Sequence, residues 1–175
     1  MSTHDIAFNT EPFFKAVLPV PPGINESYKI VSVPVKSKSQ DQMPYKRGTR
    51  VYHSYAEAHS RPRMVHRMAA TEKLEAFKQE CARRLVGQHE LSFVDLDVVT
   101  AIHNSRLHVP LCAHIQFFFA NEWRRDVDGG VKSVLDVVFT HLGLNDNLIV
   151  DLHATKEVDT LYPRCEVSLR CAFRK

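Results

Sequence analysis

The sequence predicts an α+β fold, a mainly antiparallel sheet of about four strands with two main helices packed on one face. Two patterns predict it. Leu111, Ala113, Ile115, Phe117 and Phe119 alternate with Cys112, His114 and Gln116, and Cys165, Val167, Leu169, Cys171 and Phe173 alternate with Glu166, Ser168, Arg170 and Arg174. Alternation of this length marks strands with one buried and one solvated face. By contrast, Ala70, Leu74, Phe77, Cys81 and Leu85 recur at spacings of three and four, which is one face of a helix.

Taken in chain order, residues 1–11 are polar and expected to be loose. Phe13 to Val20 reads as a strand ended by Pro19, Pro21, Pro22 and Gly23, and Lys29 to Val35 as a further extended piece. Residues 36–66 form a basic loop or insertion, with Pro44 and Gly48 interrupting its first part. The first helix ends near Gly87 and is expected to begin as early as Ser60, since Pro62 is tolerated in a first turn. Leu91 to His108 is ambiguous. After the strand from Leu111, a second helix runs from about Asp128 to Leu142 and is closed by Gly143. Leu148 to Val158 contains another strand, and the alternating segment from Cys165 is the last.

A chain of 175 residues, 44% of them hydrophobic, is expected to fold as one domain spanning residues 1–175. It contains no apolar run long enough to span a bilayer, and its first residues lack the pattern of a secretory signal. Cys81, Cys112, Cys165 and Cys171 show neither a CxxC pair nor zinc-ligand spacing, so free thiols in a reducing cytoplasm are expected. The ten histidines show no HExxH or HxH spacing and are read as surface or core-edge residues. The net charge of +3 is unevenly placed: Lys36 to Arg67 holds eight basic and two acidic residues. That basic segment, with Tyr45, Tyr52 and Tyr55 among its charges, points to a polyanionic partner or, alternatively, to a solvated loop packed on the sheet.

The stretch from Trp123 to Lys132, Trp-Arg-Arg-Asp-Val-Asp-Gly-Gly-Val-Lys, carries the chemistry. Asp126 and Asp128 are i and i+2, which point to one side of an extended segment. Where a strand hands over to a helix, two such carboxylates converge on one ion. Hard oxygen ligands suit Mg²⁺, with Mn²⁺ as a substitute, and such an ion polarises a phosphoryl oxygen and activates water. The alternative is structural: Asp128 as a helix N-cap and Asp126 as an ion-pair partner for Arg124 or Arg125. Three neighbours favour the metal. Gly129 and Gly130 leave the helix start bare for a phosphate. Lys132 lies one turn on, placed either to neutralise developing charge or to pair with Asp136. A third carboxylate is available: Asp136 lies about 12 Å further along the helix axis, too far to share an ion, whereas Asp146 in the following turn is preferred over Asp151. Sharing one ion requires the three to approach within about 6 Å. Arg124 and Arg125 offer forks for phosphate oxygens. The single tryptophan is read as packing.

These residues resemble the RusA family of Holliday junction resolvases. The resemblance rests on Leu18-Pro19-Val20-Pro21-Pro22-Gly23-Ile24-Asn25 with Tyr28, then Arg124-Arg125-Asp126-Val127-Asp128, Lys132 and Asp136, then Leu144-Asn145-Asp146 with Ile149, and Lys156 downstream. It covers roughly residues 13–35 and 110–175. It implies a small α+β homodimer that cuts four-way DNA junctions by paired, Mg²⁺-dependent nicks. It implies that Asp126, Asp128 and Asp146 bind the metal and that Lys132 is catalytic. Asn25, Lys29, Lys46, Arg47, Arg50, Arg124, Arg125 and Lys156 are the candidate DNA contacts. Two positions depart from the family pattern: Gly129 replaces the usual asparagine, and Asn145 replaces the first acid of an Asp-Asp pair. A non-catalytic binder of branched DNA, or a nuclease for other branched nucleic acids, are the competing expectations.

Overall fold

A computed structural model describes residues 6–8, 11–35, 63–87, 91–105, 108–121 and 126–174. The chain divides into two compact units, residues 1–27 with 71–175, and residues 28–70.

The larger unit is α+β. Its strands are β1 (Ile6–Phe8), β2 (Phe14–Leu18), β5 (Ser92–Val94), β6 (Leu111–Phe119), β7 (Ile149–Val158) and β8 (Arg164–Arg174). Its helices are the single turn α1 (Ile24–Ser27), α2 (Glu72–Gly87), α3 (Leu96–Asn104) and α4 (Val131–Leu142). The sheet order is β5-β2-β8-β6-β7, with β1 also pairing β8. All pairs are antiparallel except β6 with β7, which is parallel because α4 carries the chain from one end of the sheet back to the other.

The alternation in β6 and β8 decides where the core sits. Leu111, Ala113, Ile115 and Phe117 are fully buried, as are Cys165 and Leu169, and β2 adds Phe14 and Leu18. Against this face pack Leu74 and Cys81 of α2, Ile102 of α3, and Val134, Val138 and Phe139 of α4, all buried. Each such aliphatic or aromatic side chain contributes roughly 1.5–3 kcal/mol by leaving water. The opposite face of the sheet carries Lys15, Cys112, His114, Gln116, Glu166, Ser168 and Arg170. All four cysteines are free thiols, and burial pushes the Cys81 thiol up to about 12, so it is inert.

The smaller unit contains an antiparallel ribbon, β3 (Tyr28–Val35) with β4 (Arg63–Ala70), joined through eight residue pairs. Two of its large apolar side chains are exposed, Ile30 at 77% and Met68 at 72%.

Four sequence expectations change. Ile6–Phe8, placed in a loose terminus, pairs with Ala172–Arg174 as a short strand. Residues 63–70, expected to open the first helix and, at 63–66, to close the basic loop, form β4, because pairing with β3 satisfies their backbone, and the helix starts at Glu72. The ambiguous 91–108 segment resolves into β5 and α3, with Asp95 capping the helix through bonds from Asp97 and Val98 amides. The main sheet has six strands among the described residues rather than about four. Residues 36–62 lie outside the described residues, as do Lys46, Arg47 and Arg50 within them.

Candidate functional site

The acidic stretch occupies the connection from the C-terminal end of β6 to the N-terminus of α4. In strand–helix–strand units with parallel strands, this connection is where ligands bind, because the helix N-terminus presents amide groups and positive dipole there. Asp126 is exposed, and Asp128 opens a 3₁₀ turn, Asp128–Gly130, that leads into α4.

Two local details correct the sequence reading. Val127 is already helical (φ −61°, ψ −37°), and the Gly129 amide donates to the Asp126 carbonyl at 3.3 Å. The chain thus turns between the two aspartates instead of running extended through them. Neither the 3₁₀ turn nor α4 receives a side-chain cap: position 127 is valine and position 130 is glycine. Asp128 therefore does not perform the capping role that was its structural alternative; the Gly129 and Val131 amides donate to the Asp126 and Asp128 carbonyls instead.

A groove of about 250 Å³ adjoins this turn. Asp126, Gly129 and Gly130 line one side, and Pro21, Gly23, Asn25 and Glu26 the other. Two segments a hundred residues apart in sequence, both singled out by their motifs, thus share one surface. Gly130 explains how they come so close. It is buried, and a Cβ built on it would overlap Cγ of Pro21 and touch Phe117. The α1 turn that carries Asn25 is fixed by the buried Ser27 hydroxyl, which donates to the carbonyls of Gly23 (2.9 Å) and Pro22 (3.3 Å).

Glu26 is the residue that motif reading missed. Its carboxylate reaches the groove, with Oε1 accepting from Lys73 Nζ at 2.7 Å and Oε2 from the Gly23 amide at 3.4 Å. The signal for it was adjacency to Asn25 on a one-turn helix.

The remaining predicted residues are distributed as follows. Lys132 is exposed on the first turn of α4 and donates to Asp136 at 3.0 Å. Asp146 lies beyond the other end of α4, in a second groove lined with Lys78, Asp136 and Asn145. The twelve residues of α4 separate it from the Asp126–Asp128 turn, a rise of about 18 Å. Among the described residues, no three His, Cys, Asp or Glu side chains are placed to hold a metal ion, so the structure does not bring Asp146 to the pair. Asn145 caps its own turn by accepting from the Asn147 amide at 3.0 Å, a role that aspartate fills equally well. Lys156 is exposed on β7 and Lys29 on β3. Trp123, Arg124 and Arg125 lie outside the described residues.

By donor chemistry Asp126 and Asp128 suit Mg²⁺, which is commonly bound by one or two carboxylates together with substrate phosphates. No family model matches this chain, and no curated protein does. No helix among the described residues is long and apolar enough to cross a membrane.

Proposed function

We propose that this protein is a Mg²⁺-dependent, structure-selective endodeoxyribonuclease that resolves four-way DNA junctions by paired symmetric nicks. The observation that supports this reading most is the shared groove, where the Asp126–Gly130 turn meets Pro21–Glu26 at an uncapped helix start. Together with the ordered RusA-like motifs, that surface offers what a scissile phosphodiester requires. The Asp126 carboxylate lines it, Asp128 follows in the same turn, and Lys132 stands on the first turn of α4 beside it.

In this reading Asp126 and Asp128 hold Mg²⁺, which when bound polarises a phosphoryl oxygen and activates water. The Asp126–Gly130 turn ahead of α4 receives a phosphate oxygen, favoured by the positive end of the helix dipole. Lys132 neutralises developing charge. Its exposed pair with Asp136 has the lysine N-terminal, the weaker orientation, and such pairs contribute only roughly 0.2–0.5 kcal/mol. A DNA phosphate competes for it easily. Asn25 orients the backbone from the facing side. Arg124, Arg125, Lys29, Lys46, Arg47, Arg50 and Lys156 grip phosphates by charge rather than by sequence. Asp146 enters as the third metal carboxylate by the resemblance alone. Symmetric nicking calls for two active sites, hence a homodimer acting in the cytoplasm in recombination and repair.

The test compares four-way junction, fork, flap and linear duplex of one sequence, each with and without Mg²⁺. Nicks paired across the junction, dependent on Mg²⁺ and much slower on duplex, are expected. Faster cutting of flaps or forks, or of RNA, would replace the junction with another substrate. A second reading, a branched-DNA-binding protein without catalysis, is favoured by the distance between Asp146 and the pair. It would show as tight junction binding with no nicked product at any metal concentration.

A further inference from the structure

The solvent face of the sheet carries a second cluster of ligand-type side chains, remote in character from the acidic turn. Cys112 and His114 are i and i+2 on β6, and Asp151 and His153 are i and i+2 on β7. The parallel register sets Cys112 beside Asp151 and His114 beside His153. Neighbouring strands lie roughly 4.8 Å apart and i,i+2 residues about 6.6 Å apart on one face. The four side chains therefore form the corners of a small rectangle. They line a cavity of about 420 Å³ with Ser168 and Arg170 of β8.

We propose that Cys112, His114, Asp151 and His153 bind one Zn²⁺-class ion, a borderline-soft divalent cation, in a tetrahedral site that ties β7 to β6. The distances are already close to those of such a site. Cys112 Sγ lies 3.7 Å from Asp151 Oδ2; a sulfur and a carboxylate oxygen on one tetrahedral zinc are about 3.5 Å apart. The His114 and His153 ring centres are 6.1 Å apart at an interplanar angle of 58°; two imidazoles on one zinc have centres about 5 Å apart. Among the described residues no three donors converge, so the site requires the two imidazoles to turn toward Cys112 and Asp151. Both rings are exposed, so their rotamers are free to turn.

The donor set selects the ion. One thiolate and two imidazoles with one carboxylate match zinc and exclude the all-oxygen preference of Mg²⁺ and Ca²⁺. On binding, the Cys112 Sγ–H bond breaks, its proton passes to water and the sulfur coordinates the ion. Two anionic donors then balance the dication, so the bound site is neutral beside the cationic Arg170, the β8 neighbour of Cys112. Four protein ligands leave no open position, so the ion's role is structural. The site matters because β7 is the edge of the sheet and pairs only with β6 among the described residues. This proposal does not rest on nuclease activity.

Co²⁺ serves as the spectroscopic probe, added to the reduced full-length protein. One equivalent is expected to give the visible absorption of tetrahedral Co²⁺ with a near-ultraviolet thiolate charge-transfer band, both displaced by Zn²⁺. Cys112→Ser should abolish the charge-transfer band. His153→Ala, at an exposed position, should weaken binding by about tenfold or more and remove the rise in melting temperature that Zn²⁺ produces in the wild type. Absence of a tetrahedral spectrum in the wild type, or wild-type binding by either variant, would overturn the proposal.

Discussion

Asp128 and Asn145 show how one residue type carries different loads. Asn145 caps a turn through Asn147, which is local backbone chemistry. Asp128 caps nothing: it is the first residue of the 3₁₀ turn, and the cap positions are Val127 and Gly130. A carboxylate exposed at a helix start contributes little to stability beyond its attraction to the dipole. Glu80 is the opposite case. Hydrogen bonds from Arg83 and Arg84 hold its carboxyl down at about 2, against an ordinary value of 4.5. A depressed carboxylate pKa stabilises the fold above the unfolded pKa, and that stabilisation fades as pH falls through the folded value. Wild type should therefore resist denaturant better than Glu80→Gln at neutral pH. The gap should narrow below about pH 4.5 and vanish near pH 2, as read from unfolding midpoints across that range.

Among the elements, β6, α4 and β8 were legible in the sequence because each has one buried face, which writes its period into the residues. Of the ribbon, β3 was legible as an extended piece from Lys29 to Val35, but its partner β4 was not. Neither Met64 nor Met68 reaches a core, at 47% and 72% exposure, so β4 has no alternation to read, and its neighbour α2 lent it a helical look. The parallel pairing of β6 and β7 had a signal that strand patterns alone omit, the strand–helix–strand order of residues 111–158. The metal-ligand spacing on these strands was similarly hidden. Cys112-x-His114 and Asp151-x-His153 share faces only once two strands are aligned. The acidic pair was legible as a motif, but its geometry was not, since the turn at Val127 follows from local backbone packing rather than from residue type. Close packing at that turn is testable. Gly130→Ala has an acceptable φ of −108°, yet its methyl would collide with Pro21. It should cost about 1–3 kcal/mol in urea unfolding and slow any activity that depends on the groove. Unchanged stability would mean that the Pro21 loop yields without cost.

At the scale of the molecule, a helix-backed sheet gathers residues 21–26 and 126–130 into one groove, and it sets Asp146 beyond the far end of α4. The motif order in the sequence states which residues belong to a family-like constellation; only the fold states which of them meet within one chain. Catalysis by the Asp126–Asp128 turn is the claim that ties sequence, groove and substrate together. It is tested most directly on a synthetic four-way junction with Mg²⁺, comparing wild type with Asp128→Asn while unfolding midpoints are recorded for both. Because Asp128 caps no helix, the variant should keep its stability within about 0.5 kcal/mol. It should lose junction cutting by about 100-fold or more while still binding the junction. Equal cutting by the two proteins, or no cutting by the wild type, would contradict the catalytic assignment.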